Sequence, residues 1–317
     1  MARSSQAASS AGYPQVDSGA FSQIGATLSD FLNLTKPGIL GLLLISTCCP
    51  MVLAGEGRVS GSLVFYALLG GMLISASASV MNCVFDRDID AVMDRTKNRP
   101  MASGRISVPA AMFFAYLLGF AGFGVLYRGL NPFAAYIALF GHFFYVVIYT
   151  LWLKRNTPQN IVIGGAAGAI PPLVGWVGIT GELELDAVLL FTVIFLWTPP
   201  HFWALALNKN GDYRRANVPM LPVVSGERET ERLMYRYAVA LLPVSLALVL
   251  HNHQLGLFSL FVLGGLGTIF AFKIDQLRRL DLANTEARTK KAWDIFGFSL
   301  IYLALFFVCL VVDSAFI

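Results

Sequence analysis

Apolar residues run through this chain in long blocks, and the polar residues fall almost entirely in the gaps between them. Charge-free stretches long enough to cross a hydrocarbon core extend over residues 38–55, 62–85, 107–127, 130–153, 160–180, 187–207, 237–251, 255–272 and 295–312. The pattern predicts an all-α integral membrane protein of about nine transmembrane helices, because a helix satisfies its own backbone where no water is available. The seventh and eighth spans are separated by the polar turn His251-Asn252-His253-Gln254. Residues 1–35 are rich in Ser, Ala and Gly, with one Arg and two acidic residues, and lack the basic amphipathic character of a mitochondrial presequence. They are predicted to form a disordered cytoplasmic tail ahead of a single transmembrane domain over residues 36–317.

Composition excludes a soluble globule. With 56% hydrophobic and 13% charged residues, the chain has too little polar surface to cover an ordinary globule, so the lipid bilayer is its partner and solvent. If the N-terminus lies in the cytoplasm, every one of the 23 Lys and Arg residues except Arg58 and Arg128 falls on the inner side. The expected location is a bacterial inner membrane, with the N-terminus cytoplasmic and the C-terminus periplasmic. The net charge of +4 then reports topology, and no nucleic-acid partner is implied. Cys48, Cys49, Cys83 and Cys309 lie in or at the ends of apolar spans without zinc or redox spacing and read as core residues.

Chemistry is expected where polar residues gather. Glu182, Glu184 and Asp186 form an acidic outer turn and are expected to have no partner bases nearby. Two inner loops are denser. The first follows the second span and carries Asn82, Asp86 and Asp90 at four-residue intervals, which on a helix form one oxygen-rich stripe, while Asp88 faces elsewhere. Carboxylates on one face repel unless a cation holds them, and Mg²⁺ takes hard oxygen ligands that it commonly shares with phosphate. Lys97, Arg99 and Arg105 follow as bases for the same anion; the plainer reading is a solvated loop of surface ion pairs.

The second inner loop, Trp197-Thr198-Pro199-Pro200-His201-Phe202-Trp203 through Asn208 and Asp212, ends the sixth span. On an ideal helix Trp197, His201, Asn208 and Asp212 lie within about 60° of one another, with a distortion expected at the two prolines. Asn208 and Asp212 thereby echo Asn82 and Asp86, and two such stripes facing each other would clamp a diphosphate. Tyr149 and Lys154 close the fourth span on the same inner side, where Lys154 reads equally as a snorkelling base. His201 and His142 stand between a functional reading and that of ordinary intramembrane histidines. A secondary transporter shares many of these features, but its polar groups belong near mid-membrane rather than at one face.

Taken together, Leu34-Thr35-Lys36-Pro37, Asp86-Arg87-Asp88-Ile89-Asp90, Arg95-Thr96-Lys97-Asn98-Arg99-Pro100, Gly164-Gly165-Ala166-Ala167-Gly168 and Thr198-Pro199-Pro200-His201-Phe202-Trp203 with Asp212-Tyr213 resemble the haem-prenylating branch of the UbiA prenyltransferase superfamily. The similarity covers about residues 34 to 312. It implies about nine helices around a central cavity, with Asn82, Asp86 and Asp90 as one Mg²⁺-diphosphate motif and Asn208 and Asp212 as the second. It also implies Lys36, Lys97, Arg99, Tyr149 and Lys154 as diphosphate contacts and His201 as a contact to haem. The implied reaction is transfer of farnesyl from farnesyl diphosphate to a vinyl group of protohaem (haem B) with addition of water, giving haem O. An aromatic or chlorin acceptor is the alternative within the superfamily, and haem A synthase or terminal oxidase assembly components are implied partners. Cys83 and Asn208 stand where many superfamily members carry Asp.

Overall fold

The computed structural model describes residues 27–315. Among the described residues nine apolar helices follow one another: α1 (Leu40–Ala54), α2 (Gly61–Phe85), α3 (Val108–Gly129), α4 (Pro132–Asn156), α5 (Asn160–Thr180), α6 (Leu185–Asn208), α7 (Gly226–His251), α8 (Leu257–Arg279) and α9 (Thr285–Ser314). Eight of them are long and apolar enough to cross a membrane, and α1 is a shorter apolar helix. Large hydrophobic side chains on their outward faces remain open, as at Phe113, Phe120, Leu250 and Phe261, which suits contact with lipid rather than water.

Neighbouring helices pack in chain order, and α9 returns to α1, closing the circuit; α1 also packs along α5, and α5 along α6. Small residues permit the closest approaches. A Cβ on Gly175 would lie 2.2 Å from the Thr47 carbonyl oxygen of α1, so only glycine lets α5 meet α1 there. One buried cluster unites α5 to α9 with Leu53 of α1, and a second unites Leu34 with α2 and α3.

Span boundaries differ from expectation where helices continue past the bilayer. Helix α7 begins at Gly226 rather than near 237 and α9 at Thr285 rather than near 295, because their first turns are helical but charged. Pro199 and Pro200 do not interrupt α6, which is helical throughout Leu185–Asn208. Two helices depart from α geometry instead: α4 winds as a π-helix over Phe144–Leu153, and α5 is jointed at Ala169. The tail expected over residues 1–35 lies, for 1–26, outside the described residues. Residues 27–34, expected to belong to it, are helical. Leu34 is fully buried, Phe31 meets the Phe114 ring edge-on at 5.1 Å, and Asp30 accepts from Arg105 at 2.9 Å.

Candidate active site

The inner loops, as the sequence places them, meet at one end of the bundle, where α2, α4 and α6 finish and α3, α5, α7 and α9 start. Helix α2 stops at Asp86, which also begins a short helix, Arg87–Val92. The main-chain ladder nevertheless continues through this joint, from Asp86 N to Asn82 O at 2.9 Å and from Asp90 N to Asp86 O at 2.7 Å. Asn82, Asp86 and Asp90 therefore keep a common side, and all three are buried.

Each member of the stripe has a partner supplied from elsewhere. Lys36 Nζ donates to Asn82 Oδ1 at 2.5 Å; Asn82 Nδ2 donates to Asp86 Oδ2 at 2.7 Å and to Thr150 Oγ1 at 3.0 Å. Lys154 Nζ donates to Asp86 Oδ2 at 2.5 Å, and Arg99 Nη1 reaches both oxygens of Asp90 at 3.0 and 2.8 Å. Asp86 Oδ1 remains without a hydrogen bond, its nearest base being Arg155 at 3.9 Å. Asp88 turns outward to Arg155, whose paired hydrogen bonds of 2.7 and 2.8 Å hold its carboxyl down to about 2.

The backbone helps to set these contacts. Lys36 sits at φ +54° immediately before Pro37, a left-handed conformation that a side chain disfavours and a following proline restricts further, at about 1–3 kcal/mol. Burial lowers the pKa of its ammonium, with nearby Arg99 adding to the effect and Asp86 and Asp90 opposing it. In α4 the wider π turn brings Tyr145, Tyr149, Thr150 and Lys154 along one side: the two tyrosine rings stack at 5.4 Å and Thr150 donates to the Tyr145 carbonyl at 2.9 Å. A Cβ on Gly164 would fall 2.2 Å from the Tyr149 ring, so glycine makes the room that this tyrosine occupies.

The second loop divides the residues that an ideal helix would keep together. Trp197, His201 and Asn208 all face α9. Trp197 Nε1 donates to the Ser299 carbonyl at 2.8 Å, and the His201 ring lies between Trp197 at 4.3 Å and Phe296 at 4.7 Å. The Ser299 hydroxyl donates to the Phe296 carbonyl at 2.6 Å, so it accepts from His201 Nδ1–H at 2.6 Å and leaves Nε2 as the nitrogen with a lone pair. With its amide oxygen and nitrogen exchanged so that both find partners, Asn208 donates to the Thr289 carbonyl and accepts from the Trp293 main-chain N–H of α9, both at 3.2 Å. The reason is local: α6 ends at Lys209, and the short helix Asn210–Arg215 that follows carries Asp212 in a new direction.

Asp212 accepts from Arg215, which also donates to Asp94 of the first loop at 2.6 Å, and Asp94 accepts from Lys97 at 3.0 Å. This bridge ties the loops together. A cleft of about 350 Å³ opens between them, lined by Asp88, Ile89, Arg155, Arg215 and Asn217 among others. Arg155, Arg215 and Thr150 carry no motif of their own in the sequence, although Arg155 adjoins Lys154 and Arg215 stands three residues after Asp212.

Among the described residues no three His, Cys, Asp or Glu side chains form a ready metal cage. The donor set nonetheless fits a hard cation: it is built from oxygens, and Asp86 Oδ1 is buried with its lone pairs unused. What the arrangement can do chemically is exchange partners, with metal taking the carboxylates while the bases turn to an anion's oxygens. A match to the UbiA prenyltransferase family covers residues 42–312. The chain belongs to that family. It is 48% identical over 295 residues to the protoheme IX farnesyltransferase of Gloeobacter violaceus, covering 93% of this chain and 95% of that one. It is 46% identical over 291 residues to that of Synechocystis, covering 92% and 90%.

Solved UbiA-type structures agree in fold. A digeranylgeranylglyceryl phosphate synthase study gives a TM-score of 0.74 at 19% identity, covering 92% of this chain and 99% of that one. A UbiA homolog from Archaeoglobus fulgidus, bound to GPP and Mg²⁺, gives 0.62 at 16% identity, covering 89% and 99%. At such identities the likeness speaks for the architecture of the family, a multi-pass helical membrane protein.

Proposed function

We propose that the protein transfers the farnesyl group of farnesyl diphosphate to a vinyl group of protohaem, with addition of water, to give haem O. The observation that carries the reaction class is the meeting of buried carboxylates and bases from two loops at one bundle end, with Asp86 Oδ1 left unpartnered. The farnesyl donor and haem acceptor are supported by the name of the relatives that share 46–48% identity over more than nine-tenths of the chain.

In this reading Asn82, Asp86, Asp90 and Asp212 hold Mg²⁺, and Lys36, Arg99, Tyr149 and Lys154 hold the diphosphate. Lys97, exposed on Asp94, meets it on arrival. Asn208 is outside the set because its amide is engaged with α9. Bound Mg²⁺ would stabilise the negative charge gathering on the departing pyrophosphate. The chain's own bases contribute by changing partners, so no buried charge is left alone during the exchange.

The farnesyl C1–O bond breaks and its electron pair leaves with pyrophosphate; the vinyl group's terminal carbon forms the new bond to C1. Water then adds to the vinyl carbon next to the ring and loses one proton. The carbon bond has to form before water arrives, and the apolar side chains of the bundle exclude it until then. His201 meets the haem through Nε2. The site end faces the cytoplasm of a bacterial cell, with the C-terminus periplasmic, and the product passes to haem A synthase or a terminal oxidase.

The test is to supply purified protein with Mg²⁺, farnesyl diphosphate and protohaem and to determine the mass of the pigment. The expected product is heavier by one farnesyl group and one hydroxyl. Unaltered haem together with prenylation of an added aromatic acceptor contradicts the assignment.

A further inference from the structure

Asn160 opens α5, and its side chain is 0% exposed, yet neither its Nδ2 nor its Oδ1 has a hydrogen-bond partner. Buried amides almost always find partners, and one that makes none of its bonds points to a group that arrives later. Helical register places this amide. Helix α4 runs towards the site end and α5 runs away from it, joined by only three residues, so their ends lie side by side. Gly164, one turn after Asn160 and on the same face, sits against the Tyr149 ring. One turn nearer the site end are Asn160 on α5 and Lys154 on α4, and Lys154 is the base that grips Asp86. On the other flank, Gly165 abuts Thr198 of α6, the helix that leads on to Asp212.

We infer that Asn160 is a diphosphate-binding residue, with Nδ2–H donating to a phosphoryl oxygen from the N-terminal turn of α5. The orientation of the helix reinforces it, since the N-terminal end of α5 carries partial positive charge towards the same anion. An amide whose bonds are completed by the ligand stays unpaired in the free protein, which is the condition observed. The inference deepens the proposed function and rests on the diphosphate reading of the site.

The test is calorimetric titration of inorganic pyrophosphate, with Mg²⁺, into the purified full-length protein and its Asn160→Leu and Asn160→Asp variants. Leucine is close in size and needs no partner, so Asn160→Leu is expected to keep or raise the thermal midpoint of the free protein while weakening pyrophosphate between about ten- and a hundredfold. Asn160→Asp is expected to weaken it further, because it sets a carboxylate against the anion. Equal affinity in wild type and both variants overturns the inference alone, as does a lowered midpoint in Asn160→Leu with affinity unchanged. No binding by the wild type overturns the diphosphate reading and this inference with it. If Asn160→Leu fails to fold, Asn160→Ala removes the same amide without added bulk and carries the same expectation for affinity.

Discussion

Two buried asparagines stand at helix ends on opposite sides of the bundle, and only one of them is satisfied. Asn252, after α7, donates through Nδ2 to Asp186 at 2.9 Å and accepts from Gln254 N at 2.9 Å. Asn160 makes no side-chain bond at all. The difference extends to the ends themselves. At the far end Asp186 has both oxygens engaged, by His251 and Asn252, and one oxygen of Asp313 accepts from the amides of Gly256 and Ser259. The acidic turn expected to lack partners is therefore tied down, with Glu184 accepting from Trp176 at 3.0 Å as well.

At the site end the buried acids are met by bases, Lys36 is strained, and an oxygen of Asp86 goes unused. Every described buried side-chain atom without a partner, in Asp86, Asn160, Trp203 and Asn210, belongs to the site-end half of the bundle. Closed polar networks hold helices together; an open one leaves hydrogen-bonding groups that a ligand could take. Charge alone does not mark the open kind: Arg288 is buried at the same end, and its pairs with Glu227 and Glu231 knit α7 to α9. Since a buried ion pair gives little net stability over apolar packing, the pairs at Asp86 and Asp90 are weak evidence of a role in fold stability.

The contrast breaks most easily by truncating one acid at each end. Asp86→Ala is expected to lower kcat/KM by about 10³-fold or more while the protein still folds. Asp186→Ala is expected to reverse the pattern, destabilising the fold by about 1–3 kcal/mol in a denaturation experiment, with turnover per folded molecule nearly unchanged. Comparable effects on turnover from both would erase the distinction between the ends. Next in size, Asp212→Asn should reduce turnover by about 10²-fold, whereas Asn208→Ala should stay within about threefold, because its amide serves α9. Parallel losses, read from initial rates, would return Asn208 to the site.

The smallest effect is on pH dependence. Because burial lowers the Lys36 pKa from 10.5, the protonated amine that grips an anion is lost as pH rises through that lowered value, and kcat/KM for farnesyl diphosphate should fall with it. Lys36→Arg keeps its charge throughout and should move the alkaline limb upward. A limb that stays in place would separate Lys36 from diphosphate binding.

The spans were legible because charge-free length is a property of sequence alone. The extensions of α7 and α9 were not, since residues such as Glu231 and Arg288 satisfy each other only once both helices are built. At the site, residue types and spacing exposed the acids and the bases, and the helical period correctly grouped Asn82, Asp86 and Asp90 on one face. The same period misplaced Asn208 beside Asp212, because extrapolating one helix through Lys209 ignores the break there. Which base takes which acid was also hidden: it depends on the π turn of α4 and the joint at Asp86. Asn160 gave no sequence signal, being a common residue at a helix start; only its lack of partners in three dimensions marks it.

The most direct measurement is the position of the metal. Crystals grown with Mn²⁺ in place of Mg²⁺ and a non-hydrolysable farnesyl diphosphate analogue would show by anomalous scattering where the cation lies. The expected result is a peak on Asp86 and Asp212, with Lys154 and Arg99 moved from their carboxylates to phosphoryl oxygens. A peak beside Asp186 at the far end, or the diphosphate bound with every Asp86 and Asp90 ion pair intact, would contradict it.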